Sequence, residues 1–209
     1  MNSVTMKLQA DPLILQALQE DITSEDVTTN AILPKDCQGE AELLCKQDGI
    51  IAGLDVFARA FTLLDDKVWF EFFTKDGDEV HKGQKLAKVV GSMQAILSAE
   101  RVGLNYLQRM SGIATQTSKY VEKLKGTGTR VLDTRKTTPG LRMLEKAAVK
   151  IGGGCNHRIG LFDMILLKDN HVDFAGGICN AIDRCHEYLK KNNLDLKIEI
   201  EVRNFDELQ

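Results

Sequence analysis

The apolar positions Ile96, Leu97, Val102, Leu104, Leu107, Met110, Ile113, Ala114, Tyr120, Val121 and Leu124 recur at mostly helical spacing. They predict one or two long helices over residues 93–124, with Ser111-Gly112 as the break if there are two. Upstream the pattern is strand-like. Residues 40–46 alternate in part, Gly49-Ile-Ile-Ala-Gly punctuates, and Val68-Trp-Phe-Glu-Phe-Phe supplies aromatic and β-branched residues, with a short helix over about 54–64 between them. Residues 76–91 place two turn glycines around a short strand and run on into another, which reads as a hairpin connection. The turn also resembles that of biotinyl and lipoyl carrier domains, but the Met-Lys context of a carrier lysine is missing. At the N-terminus a short amphipathic helix, residues 12–20, precedes the loop Asp21-Ile-Thr-Ser-Glu-Asp-Val-Thr-Thr, rich in capping and turn residues.

Past Leu124 the pattern alternates. It predicts a strand over 129–133, a helix over 140–150, a glycine turn at 152–154, a strand over 164–167, a helix over 177–190, a strand over 197–202 and a helix-like end over 204–209. Alternating β and α units specify a parallel sheet, here a barrel or open barrel. Three strands are visible where a closed barrel uses about eight, so the expectation is a barrel whose C-terminal part is absent. The fold class is therefore α/β. Residues 1–115 are expected to form a sandwich-like N-terminal domain that includes the start of the long helices, and 116–209 the first part of the truncated barrel.

Composition narrows the function. A net charge of -3 gives no global field to draw in nucleic acid or a membrane surface, so anion recognition must come from local clustering. Five cysteines, odd in number and without a C-x-x-C pair, argue for reduced thiols in a cytoplasm. No apolar run approaches the roughly 20 residues of a membrane span, and a signal-peptide pattern is lacking at the N-terminus.

Local clustering is present. In parallel α/β folds, functional side chains collect at the carboxyl ends of strands. At those positions stand Arg135, Lys136, Arg142, His157, Arg158, Lys168 and His171, with Glu201 and Arg203 after the third strand. Each alone reads as solvated surface or a turn residue. Together on one rim they would repel one another unless a multiply charged anion sat among them. Arginine suits carboxylate or phosphate bidentately and lysine acts as a mobile point charge, so a mixed set points to both ligand types. In Lys-Ile-Glu-Ile-Glu-Val, Ile198, Ile200 and Val202 take one face and Glu199 and Glu201 the other. An inward Glu201 would serve Mg²⁺ or a ribose hydroxyl.

These stretches resemble the quinolinate phosphoribosyltransferases, also called nicotinate-nucleotide pyrophosphorylases (carboxylating). The likeness is carried by Glu20-Asp-Ile-Thr with Asp26-Val-Thr-Thr, by Ala99-Glu-Arg-Val-Gly-Leu-Asn with Ser111-Gly-Ile-Ala-Thr, and by Asp133-Thr-Arg-Lys-Thr-Thr-Pro-Gly-Leu-Arg. It continues through Gly152-Gly-Gly-Cys-Asn-His-Arg-Ile-Gly-Leu, Leu167-Lys-Asp-Asn-His and Ile198-Glu-Ile-Glu-Val, nearly the whole chain. The resemblance implies a cytoplasmic homodimer or higher homo-oligomer acting on quinolinate and phosphoribosyl pyrophosphate with Mg²⁺, in NAD biosynthesis. Arg101, Arg135, His157, Arg158 and Lys168 would hold the dicarboxylate, Arg101 coming from the partner subunit. Lys136 and Lys168 would lie near the phosphoribosyl donor, with Lys136 and Glu201 as catalytic residues and Glu201 as a metal ligand beside a later aspartate. Two departures stand out: the family's later strands, with that aspartate and a Ser-Gly-Gly phosphate loop, have no counterpart, and Ile22-Thr-Ser-Glu stands where a glycine turn is expected. The rival readings are a nicotinate phosphoribosyltransferase, a molybdenum-transport-associated homologue of the same fold, and a non-catalytic dimerising or binding module.

Overall fold

The computed structural model describes residues 3–208, which fall into two compact units that meet in sequence between Asn156 and His157.

The first unit opens with a helical turn α1 (Ser3–Thr5), a π-helical turn Met6–Ala10 and α2 (Asp11–Asp21). The short α3 (Val27–Ile32) follows, then β1 (Gln38–Leu44), β2 (Gly49–Ile50), α4 (Leu54–Thr62), β3 (Trp69–Phe72), β4 (Glu79–Val80) and β5 (Lys85–Ser92). The long α5 (Met93–Lys123) and α6 (Arg142–Ile151) complete it. A three-stranded antiparallel sheet runs in the order β1-β5-β3, and β2 pairs separately with β4. The expected hairpin at residues 76–91 is thus a crossing between sheets, since β4 and β5 belong to different ones. The reason lies at Cys45, whose N–H and carbonyl bond Gln84 and Gly83 at 2.8 Å each and occupy the turn's inner polar groups.

The core lies where α4 and the sheet meet α5. Phe57, Phe61 and Phe70 contact edge to face with centroids 4.9 to 5.7 Å apart, a geometry that the ring quadrupoles favour. Ala95, Ile96, Ala99, Val102, Leu107, Met110 and Ala114 form the buried stripe of α5. That helix passes through Ser111-Gly112 without a break, because the Ser111 hydroxyl is spent outside the helix, accepting from Ala52 N–H at 3.0 Å and donating to Ala52 C=O at 3.3 Å. Asp11 and Arg59 join α2 to α4 through two parallel bonds of 2.8 and 2.7 Å. Asp26, read from sequence as part of a loop, caps α3, accepting from Thr29 N–H at 2.9 Å and from Ser98 on α5 at 2.9 Å.

Helix α6 closes on α5 through Gly152. A Cβ there would lie 2.4 Å from the Ala114 carbonyl oxygen, and backbone cannot yield as a side chain can. Gly152→Ala should therefore force α6 off α5, lowering stability by about 1–3 kcal/mol. Thermal unfolding checks this: an unchanged melting temperature would show that the two helices are not in close register.

The predicted strand at 129–133 reduces to one parallel bridge between Leu132 and Cys155. Thr129 and Arg130, exposed and preceded by Gly126 and Gly128 at positive φ, find no ladder partner among the described residues, and strands persist only where their polar groups are paired.

The second unit is a βαβ arrangement. β6 (Ile165–Leu167) leads into α7 (Asp169–Ala175) and α8 (Ile178–Lys191), and β7 (Ile198–Ile200) returns parallel to β6. Leu167, Val172 and Ala181 form its core, with Ile198 and Ile200 packed against them. The helix-like end resolves into turns. Asn204 accepts from Glu207 N–H at 3.0 Å and Glu207 takes both the N–H and the guanidinium of Arg203, side-chain bonds that compete with helix continuation. Gln209 lies outside the described residues.

Candidate functional site

In the first unit the site is the loop from Asp133 to Leu141, held at its two ends by adjacent residues of α6. At the near end Asp133 receives Lys146 Nζ. The Asn156 amide, with its nitrogen facing inward, donates to Asp133 Oδ2 at 2.8 Å and to the Lys146 carbonyl at 2.9 Å. Lys146 is only 2% exposed and the Asp133 side chain 8%. At the far end Glu145 Oε2 accepts from Thr138 N–H at 3.2 Å. Arg109, on α5, donates to Glu145 Oε1 at 2.6 Å and to Thr138 Oγ1 at 2.7 Å. Burial alone would push the Glu145 carboxyl up, but Arg109 and Thr138 more than offset it and hold the group below the usual carboxylate range.

Between those anchors the loop is tied by Lys136 N–H to Thr134 Oγ1 at 3.0 Å, Thr137 N–H to the Arg135 carbonyl at 3.0 Å, and Arg142 Nε to Thr137 Oγ1 at 3.2 Å. The Lys136 side chain is left exposed. Arg135 is half-buried, and its Nε is buried without a hydrogen-bond partner among the described residues.

In the second unit β7 puts Glu199 and Glu201 on the face opposite Ile198 and Ile200. His157 Nε2 lies 3.0 Å from Glu199 Oε2, and Lys168 Nζ lies 3.0 and 3.3 Å from the two oxygens of Glu201. Glu201 N–H still reaches Leu167 C=O at 2.9 Å, so its side chain keeps the strand's alternation. Lys168 caps α7, and its N–H donates to His171 Nδ1 at 3.0 Å. That bond requires an unprotonated Nδ1 and leaves Nε2 as the ring's donor. Arg158 donates to the Met164 carbonyl at 3.4 Å, and Arg203 pairs with Asp173 at 3.1 Å.

Of the residues singled out from sequence, Arg135 and Lys136 share the first unit's loop, Arg142 opens α6 and bonds back to that loop at Thr137, and Arg101 stands exposed on α5 with no polar partner among the described residues. His157, Arg158, Lys168, His171 and Glu201 belong to the second unit. Of the anchors, Asp133 and Asn156 stand in motifs noted in the sequence but without a role, while Glu145, Lys146 and Arg109 were not singled out. Leu144, Ala148 and Ile151 mark the core face of α6 at helical spacing, and Lys146 falls on the opposite side, where a lysine reads as solvated. That side is taken up by Asp133 and Asn156, which flank the bridge between Leu132 and Cys155, a pairing too short to register as a strand. Helix α7 was also missed, although Asp169 at its start and Gly176 at positive φ after its end are ordinary helix boundaries.

The model of the quinolinate phosphoribosyl transferase N-terminal domain matches residues 26–111, and that of the C-terminal domain residues 113–209. The chain is 48% identical over 198 residues to a chloroplastic nicotinate-nucleotide pyrophosphorylase [carboxylating] of Arabidopsis thaliana, covering 94% of this chain and 56% of the relative. To a probable nicotinate-nucleotide pyrophosphorylase [carboxylating] of Bacillus subtilis it is 43% identical over 203 residues, covering 97% of this chain and 68% of the relative. The solved structure of NadC from Streptococcus pyogenes superposes with a TM-score of 0.90 at 44% identity, covering 95% of this chain and 70% of that one. The chain thus spans little more than half the length of the plant relatives it matches.

Proposed function

The chain belongs to the quinolinate phosphoribosyltransferase family, and from that premise we propose that it serves the transfer of a phosphoribosyl group from phosphoribosyl pyrophosphate to quinolinate with decarboxylation, in NAD biosynthesis. The observation that carries the reading is Arg135 Nε. A buried donor without a partner costs about 1–3 kcal/mol, and an anion at this loop, such as a quinolinate carboxylate, would remove that cost.

In the proposed reaction the ring nitrogen's lone pair forms a bond to the anomeric carbon while the bond from that carbon to pyrophosphate breaks. Positive charge develops on the ribose and the leaving group is anionic, so cations near the pyrophosphate stabilise the change. Lys136, exposed beside Arg135, is suited to that task. The ring nitrogen then bears positive charge, and the bond to the adjacent carboxylate breaks to release CO₂. Its electron pair stays on the ring carbon, which takes a proton from water. Positioning accounts for most of the catalysis, without a protein nucleophile.

Lys168 and His157 each face a glutamate in the structure. An incoming dicarboxylate would compete with the two glutamates for these side chains and release Glu201 toward ribose hydroxyls or a metal. The described residues contain no cluster of three or more His, Cys, Asp or Glu side chains suited to a metal. Mg²⁺ would be carried in on the pyrophosphate, with Glu201 as one protein ligand, since Mg²⁺ keeps most of its waters and few carboxylates. We further propose a homodimer in which exposed Arg101 serves the neighbouring subunit. A cytoplasmic location is supported by the free state of all five cysteines and by the absence, among the described residues, of a helix long and apolar enough to cross a membrane.

Incubation with quinolinate, phosphoribosyl pyrophosphate and Mg²⁺, following CO₂ and mononucleotide, tests the proposal, with nicotinate as competitor. Mononucleotide is expected from quinolinate alone. Turnover of nicotinate but not quinolinate would sink it, and quinolinate binding without turnover would favour the non-catalytic binding module.

A further inference from the structure

We infer that Arg109 is a positioning residue that sets the loop bearing Arg135 and Lys136, acting through Glu145 and Thr138; the inference rests on the functional reading above. Arg109 touches neither loop cation. Its guanidinium instead joins three elements at once: it sits on α5, bonds Glu145 on α6 at 2.6 Å, and bonds the Thr138 hydroxyl at 2.7 Å. Glu145 in turn takes the Thr138 N–H, so side chain and backbone of Thr138 are both engaged.

The geometry gives this contact leverage. Glu145 and Lys146 are neighbours on α6 and hold the loop at Thr138 and Asp133 respectively. Arg135 and Lys136 lie in the span between these points. The Asp133 anchor is sealed, with Lys146 2% exposed, whereas the Arg109 side chain is 53% exposed while Glu145 is 11%. The outer end of the latch is therefore reachable by solvent and can be altered without opening the core. Its outward side lines a cleft shared with Glu20, Asp21, Asn105 and Tyr106. Those acids belong to the Glu20-Asp21 stretch that the sequence reading left without a role.

A two-point contact of this kind is specific to arginine. Lysine offers one compact charge and cannot span Glu145 and Thr138 with a planar fork. The loop would then keep its fold and lose its fixed spacing, and discrimination between ligands that differ by one carboxylate is the property most sensitive to spacing.

The test compares the wild-type chain with Arg109→Met, Arg109→Lys and Glu145→Gln, by titration calorimetry with quinolinate and with nicotinate and by amide hydrogen exchange over residues 134–141. Arg109→Met is expected to weaken quinolinate binding roughly tenfold, cut the preference for quinolinate over nicotinate, and speed exchange at Thr138, while the melting temperature falls less than in Lys146→Met because the arginine is half exposed. Arg109→Lys should lose the preference as Arg109→Met does, and Glu145→Gln, which keeps an acceptor for Thr138, should retain part of it. A proportional loss for both ligands, or wild-type exchange at Thr138, would overturn the latch. A wild-type chain that binds no quinolinate would overturn the functional reading instead, and the exchange arm would still decide the latch.

Discussion

Lys146→Met is expected to destabilise the first unit by about 3–5 kcal/mol, the loss typical when one partner of a buried ion pair is removed. The reason is the carboxylate left behind. Asp133 is 8% exposed and would lose its buried cation, while the Asn156 amide still donates to it. A side chain of similar length in place of lysine leaves little cavity, so the loss reports charge more than packing. Asp133→Asn in the same chain should recover part of the loss, because no buried charge then remains uncompensated. Denaturant unfolding of the two single variants and the double variant measures the coupling. A single-variant loss below about 1 kcal/mol would mean that Asp133 is satisfied without Lys146.

The second large effect is on binding. Arg135→Ala is expected to weaken quinolinate binding on the order of 100-fold, the equivalent of losing one bidentate, charge-assisted contact. Phosphoribosyl pyrophosphate should lose much less, because Lys136 remains. Equal losses for the two ligands would assign the loop to both substrates and dissolve the division of roles between its two cations. Stability should move the other way. Alanine removes a buried donor that has no partner among the described residues, so the melting temperature is expected to hold or rise. A group that costs stability until its ligand arrives is a common signature of a binding site.

Much of this could be read from the chain alone, because periodicity is a direct record of burial. The stripe from Ala95 to Ala114 on α5 and the alternation at Ile198 and Ile200 each face one core. The strand expected at 129–133 failed because a β-branched and polar run says nothing about whether a partner is present. Helices α3 and α7 were lost for a related reason: the residues that start them, Asp26 and Asp169, are also turn residues, and the pattern does not say which use wins. The loop cations were legible because seven of them fall at strand ends in a chain of net negative charge. Their supports were not, since Glu145 and Lys146 look like any charged pair on a helix until the segment that covers them is in place.

The long helix α5 adds a constraint of another kind. Its 31 residues extend roughly 46 Å without a break, carrying Arg101 toward one end and Arg109 two turns on, over a stripe that must stay against α4. Each residue added to or removed from such a rod turns everything beyond it by about 100°. Apart from Arg101 and Arg109, substitutions along its outer face can drift, while its length cannot: a single deletion between Arg101 and Arg109 would leave one arginine facing its proper neighbours and swing the other a quarter-turn or more away.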